Sequence, residues 1–448
     1  MKPGYLSQYF QGIAAKRLSN VEADILASNQ HEFNGVEGLR ALLGEPAGKV
    51  RYDAILLYLG EDDDATIVEE GSLTWYDARQ KARLERGVMR WEYRLYFPTT
   101  RVSDVAAAGD LLVIGLQQDG RLLVIVATSG SSAANQITWL FGLGQATQQG
   151  FLVKSELDAE HDRVGFVSRL VLERIGIAVE STAPDYLAVL LDRFGPQFPS
   201  TKEFSAFARS TLANTAPLEA PDATLMAWME REELLFRTLE RYIIADHLAG
   251  GFKTASGDVD VDGFLQFSLS VQNRRKSRVG LAFENHLEVL LAAHGIRYAR
   301  TAVTENRSKP DFLFPSAAEY HDAAFDPKRL TMLAVKSTCK DRWRQILAEA
   351  DRIPEKHLLT LETAISRQQT DEMKEKGVRL VVPRRLHETF STGQREWLID
   401  VQEFISTVLR KQHLNARSVF ATSAESTMCQ ELSDEPSRAA RRRAARAA

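Results

Sequence analysis

Between Val279 and Pro383, runs of strand length alternate with amphipathic segments in an order that few folds accommodate. "VGLAFENHLEVLLAAHG" repeats its apolar residues at helical spacing and is closed by Gly295. "IRYARTAV", "DFLFPS" and "LTMLAVK" then read as three strands. "DRWRQILAEADRI" reads as a helix with Asp341 placed as its N-cap, followed by the strand "HLLTLE", the helix "SRQQTDEMKEKG" and the strand "VRLVVP". Helix, three strands, helix, strand is a mixed α/β core with one helix on the crossover.

That core occupies a fraction of 448 residues, a length that predicts two or three domains. The first 150 residues read as mostly β: "RYDAILLYLG", "WEYRLYFP", "DLLVIGL" and "RLLVIVAT" are short β-branched and aromatic runs, and Asp119-Gly120 sits where a tight hairpin turn belongs. The helix "GVEGLRALLG" interrupts them, and the whole predicts a barrel-like or open-barrel domain. From about Glu156 the pattern turns helical, with "DYLAVLLDRFG" the clearest case. "NTAPLEAPDAT" reads as a surface connection, and an amphipathic segment from Met226 to Ala249 opens the second domain. The expected divisions are 1–175, a helical connection 176–225, 226–412, and a basic tail 413–448 expected to be disordered.

Composition narrows the function classes. No window approaches eighteen consecutive apolar residues, and "MKPGYLSQYFQG" lacks the basic region and apolar run of a signal peptide, so a soluble, cytoplasmic protein is expected. The two cysteines, Cys339 and Cys429, fit a reducing compartment, exclude a four-thiolate zinc site, and neither is expected to be structural. A net charge of -4 means that any nucleic-acid binding rests on local basic patches. Two stand out, "NRRKSR" and the terminal "SRAARRRAARAA". No Walker A loop, dinucleotide fingerprint or HExxH is present, and His247, His286 and His294 fall on helical segments. The acidic "EDDD" at Glu61 to Asp64 reads as a solvated turn, with calcium ligation the alternative.

Chemistry concentrates in the second domain. Pro310-Asp311 opens one strand, Lys336 ends the next, and Glu349 lies thirteen residues on. Phosphodiester hydrolysis needs carboxylates to hold divalent metal and a cation near the attacked phosphate. The order resembles the PD-(D/E)XK nuclease fold, except that the carboxylate normally two residues before the lysine is replaced by Ala334. Glu349 is the proposed substitute, on an expected helix whose nearly equivalent face carries Arg342.

The strings "SVQNRRKSRVG", "HGIRYA", "KPDFLFPSAAEYHDAAF", "MLAVKSTCKDRWRQILAEADRI" and "GVRLVVP" closely resemble the catalytic domain of the EcoRII restriction endonuclease family over roughly Phe198 to Phe390. The resemblance implies a restriction-endonuclease-like α/β core behind a β-rich DNA-binding pseudobarrel, and a type II, type IIE enzyme that makes Mg2+-dependent double-strand cuts. On matching positions it implies Glu284, Asp311, Lys336 and Glu349 as catalytic residues, with Asp311 and Glu349 holding the metal. Lys340, Asp341 and Arg342 match a guanine-reading group, consistent with Arg or Lys donating to guanine and Asp accepting from cytosine. Arg274, Arg275, Lys276 and Arg278 become phosphate contacts that position the duplex.

The site implied is near-palindromic and CC- and GG-flanked, with CCWGG as the candidate string. The family's arginine and tyrosine that hold an extruded central nucleotide fall on Met229 and Glu233, which leaves extrusion and the central base open. The N-terminal domain resembles its family counterpart through "KRLS", "NQHEFNG" and "RWEYR", which implies His31, Arg90, Glu92 and Arg94 as contacts to an activating second copy of the DNA site. Arg90, Glu92 and Arg94 also alternate with Trp91 and Tyr93 as on any half-exposed strand. Implied partners are double-stranded DNA, a second subunit and a cognate DNA methyltransferase. The alternatives are a repair or nicking nuclease of the same fold, or a DNA-binding regulator with a vestigial nuclease core.

Overall fold

The computed structural model describes residues 2, 4–23, 31–60, 66–87, 89–144, 150–179 and 183–412. The "EDDD" segment and the basic tail from residue 413 lie outside the described residues.

Two sheets organise the chain, giving a mixed α/β architecture. The first contains β1 (Phe10–Arg17), β2 (Glu32–Asn34), β3 (Val50–Leu59), β4 (Ile67–Asp77), β5 (Tyr93–Tyr96), β6 (Leu111–Gln117), β7 (Leu122–Ala127) and β8 (Leu152–Lys154). Their order is β2-β5-β4-β3-β7-β6-β1-β8, with β3 and β7 parallel and the other pairs antiparallel. β2 and β8 stand at opposite ends, so this is an open sheet. Both faces are covered: neighbouring Leu56 and Leu57 enter different core clusters, the second packed by the helix Ser132–Phe141. Double-sided burial is why β6 and β7 read as unbroken apolar runs. The long strands β1 and β4, in contrast, carry no clear strand pattern, because "FQGIAAKR" and "IVEEGSLTWYD" hold charges and glycines that only pairing with neighbours overrides. Gly120, at φ 85°, closes the expected β6–β7 turn.

The second sheet is β13-β12-β11-β10-β9, from β9 (Ala299–Arg300), β10 (Phe312–Phe314), β11 (Thr331–Lys336), β12 (Lys356–Thr360) and β13 (Val378–Val381). β9, β10 and β11 are antiparallel, while β11, β12 and β13 are parallel. Against it pack two long helices, Pro221–Gly250 and Val261–Ala293.

Three expectations are corrected here. The first long helix begins at Pro221, inside the expected connection, because proline at the first helical position loses no hydrogen bond. Its partner begins at Val261 rather than Val279, with Asp260 accepting the Gly263 amide as cap, so "NRRKSR" lies in mid-helix. The first turns of that helix expose Val261, Leu265 and Leu269, which hid its periodicity from a reading that seeks a buried face. Finally, the segment after β11 is a 3-10 helix, Lys340–Ala348, preceded by Cys339 without a side-chain cap. Asp341 is therefore inside the helix and not its cap. The expected connection also packs: Leu190, Phe204 and Phe207 form a cluster with Leu235, Phe236 and Leu239 of the first long helix.

Candidate active site

Asp311 stands immediately before β10 and Lys336 ends β11, and the antiparallel register that opposes Phe312 to Leu333 sets the two side by side. Asp311 Oδ2 accepts the Val335 amide at 2.7 Å and the Lys336 ammonium at 2.8 Å. Ala334 shares the Lys336 face of the strand but is fully buried, where an ionised carboxylate would lose its hydration. Lys336 reaches the site because it ends the strand and is partly exposed.

The 3-10 helix explains how Glu349 returns to this place. At three residues per turn, residues spaced by three stack on one face, and Trp343 and Ile346 are both fully buried. Glu349 follows in the same row, immediately after the last turn, in extended conformation. Arg342, expected on nearly the same face, diverges by about a third of a turn at this period and is exposed. The Lys356 ammonium supports the exit of the helix, donating to the carbonyls of Glu349, Ala350 and Ile353.

Glu284 comes from the helix Val261–Ala293. Arg300 on β9 forks between it and Glu288 one turn on, at 2.6 and 2.8 Å. Sequence reasoning missed Arg300 and Glu288; an i, i+4 acidic pair on a helix was the available signal. Burial and then the neighbouring Asp311 charge push the carboxyls of Glu284 and Glu349 above the ordinary range. Lys336 counteracts in both cases, so all four candidate catalytic residues share one electrostatic site.

Among the described residues, no three His, Cys, Asp or Glu side chains already converge closely enough to enclose a metal. Glu349 nevertheless keeps Oε2 buried without a hydrogen-bond partner, beside the Asp311 charge. A hard divalent cation with oxygen ligands fits that unsatisfied oxygen and that concentration of negative charge.

The basic run behaves unevenly. Arg278 is buried, donates to the Pro199 carbonyl at 3.1 Å and lies over the Phe204 and Phe236 rings. Its guanidinium faces the protein interior, because its position falls on the packed face of its helix. Arg275 pairs with Glu240 at 2.7 Å, Arg274 lies over Phe198, and Lys276 is exposed. The side chains of Lys340 and Asp341 lie outside the described residues. Met229 and Glu233 are buried, and Glu233 accepts from Arg237 at 2.6 Å. Cys339, expected to have no structural role, is fully buried in the core.

In the first sheet, β2 and β5 bring His31 and Arg94 to one edge: the Phe97 amide bonds the His31 carbonyl at 2.9 Å, and Arg94 donates to Asn34. Arg79 and Arg94 bond the Glu92 carboxylate and depress its pKa to about 2. Arg90 is exposed close by, and Arg83 lies 3.3 Å over the Trp91 ring. Arg79 and Arg83 were missed because they come beside β5 on the helix Gln80–Arg86 and its cap, folded back between the paired strands β4 and β5.

Residues 236–405 match the family model described as EcoRII C terminal. The chain is 42% identical over 232 residues to the type II restriction enzyme EcoRII of Escherichia coli, covering 52% of this chain and 55% of that enzyme, so it spans about half the length of the curated relative it matches. Among solved structures, metal-depleted Ecl18kI in complex with uncleaved, modified DNA superposes with a TM-score of 0.41 at 17% identity, over 51% of this chain and 85% of that one. The complex of restriction endonuclease PspGI with substrate DNA gives 0.38 at 20% identity, over 48% and 93%.

Proposed function

We propose that the chain is a type II restriction endonuclease of the EcoRII kind, cutting both strands of a short, near-palindromic, CC- and GG-flanked DNA site of the CCWGG type with Mg2+. The observation that carries this reading is the Asp311–Lys336 pair, joined by Glu284 and Glu349, inside a segment that matches EcoRII. Asp311 and Glu349 would hold the metal, which when bound supplies Lewis acidity and lowers the pKa of its water. Asp311 fixes the Lys336 ammonium, which is placed to stabilise charge developing on the attacked phosphate. Arg300 orients Glu284 at the rim of the same site. Lys340, Asp341 and Arg342 read bases, and Arg274 and Lys276 contact phosphate.

A palindromic site calls for a two-fold protein. The exposed stripe of Val261, Leu265 and Leu269 on the second long helix supports a homodimer. The edge carrying His31, Arg90, Glu92 and Arg94 supports binding of a second, activating copy of the site. A cognate methyltransferase would protect the host's own sites.

Incubating the protein with Mg2+ and a randomised duplex library, on one-site and two-site substrates, tests this. Expected are discrete double-strand breaks at one sequence, faster on two-site DNA, and loss of cutting in Glu349→Gln. Nicks without sequence preference, or full activity in that variant, would defeat the reading.

A further inference from the structure

Glu362 lies just beyond β12, is 5% exposed, and divides its carboxylate between two parts of the protein. Oε2 accepts the backbone amide of Cys339, the residue that opens the Lys340–Ala348 helix. Oε1 faces Gln136 Nε2 at 3.2 Å and the Arg174 guanidinium at 3.6 Å, both from the N-terminal half. Arg174 also donates to Gln136 Oε1 at 2.8 Å, and Gln136 donates to the Thr363 carbonyl at 3.0 Å. Ser132 extends this contact by accepting the Ser366 amide at 2.8 Å. We propose that Glu362 is a positioning residue for base recognition, through which Gln136 and Arg174 of the N-terminal domain hold the start of the Lys340–Ala348 helix in register with the DNA.

The physical reason is that a buried carboxylate needs a cationic partner, and truncating that partner leaves the charge uncompensated. Arg174 meets that need from outside the nuclease core. With Arg174 and Gln136 in contact, Glu362 is fixed and its other oxygen holds the Cys339 amide. Without them, Glu362 loses two of the groups that fix it, and its hold on the Cys339 amide weakens. Lys356 holds the opposite end of the same helix, so β12 and its extension splint the segment from both ends. The base-reading half of the inference rests on the function proposed above.

The test is hydrogen exchange at the Cys339 amide, combined with cleavage of cognate and single-mismatch sites, in Glu362→Ala, Glu362→Gln, Arg174→Gln and Gln136→Ala. Arg174→Gln and Gln136→Ala are expected to speed exchange at Cys339 about tenfold, raise KM and lower the cognate-to-mismatch ratio about tenfold, with kcat within about twofold. Glu362→Gln, which keeps an acceptor, should recover part of what Glu362→Ala loses. Exchange at Cys339 unchanged in Arg174→Gln and Glu362→Ala overturns the positioning role, as does faster exchange with an unchanged mismatch ratio. A wild-type protein that cleaves no DNA overturns the functional reading instead, and the exchange result still decides the coupling.

Discussion

The Lys356 ammonium caps the turn that presents Glu349, donating to the Glu349 carbonyl and, at 3.2 and 3.1 Å, to those of Ala350 and Ile353. Ala350 in this turn adopts φ 50°, a left-handed conformation that an alanine holds only under restraint. Replacing Lys356 with methionine keeps the buried stem and strands the carbonyls. Unfolding in urea should show a loss of about 3 kcal/mol, and kcat should fall because Glu349 is no longer held. An unchanged midpoint would remove Lys356 from this account.

Lys336→Ala removes the ammonium that Asp311 holds by a hydrogen bond, while the Val335 amide still engages that carboxylate. Single-turnover cleavage should fall by about a thousandfold or more, with the melting temperature changed little. Cleavage within tenfold of wild type would argue against Lys336 as the charge-stabilising group.

Arg300 joins Glu284 and Glu288 with two separate nitrogens, a geometry that one ammonium cannot reproduce. Arg300→Lys should therefore lower kcat/KM by about tenfold, and Arg300→Met by about a hundredfold. Equal activities in the two variants would mean that charge alone, not the fork, supports Glu284.

His357 links stability to pH. Burial, aided by the charges of Lys411 and Arg379, lowers its pKa to about 3. In the unfolded chain a histidine titrates near 6.5, so below that value the unfolded state takes up a proton that the native state refuses until about pH 3. Stability contributed by neutral His357 is thus complete above pH 6.5 and declines as pH falls toward 3, by about 2 kcal/mol at pH 5. Denaturant titrations at pH 7 and pH 5 should show a smaller difference in His357→Gln than in wild type. An identical difference would rule this group out.

Leu265→Glu with Leu269→Glu places charge on the exposed stripe of the second long helix. Sedimentation is expected to show a dimer for the wild type and a monomer for the double variant, with the fold retained by circular dichroism. A dimer in the double variant would put the interface elsewhere.

Much of the second domain was legible. The strands β10, β11 and β13 fall within their quoted apolar runs and β12 begins one residue before its own, because burial on both faces writes itself into continuous hydrophobic sequence. Asp311 and Lys336 were identified as neighbours because consecutive strand ends lie together in any such sheet. β4 and the first half of the Val261–Ala293 helix were not legible, since their charged or outward apolar residues match no buried-face pattern.

What the sequence determined by itself was the order of elements and the residue types available at the strand ends, since both follow from local periodicity and position. Tertiary structure alone decided the rest. Trp343 and Ile346 could be buried together only by winding their segment at three residues per turn, which sends Glu349 inward and leaves Arg342 exposed. Arg278, read as a phosphate contact, was claimed by the core because its helix face packs on Phe204 and Phe236. Glu362 gained partners 226 residues away, from Gln136, by domain packing that no local pattern encodes.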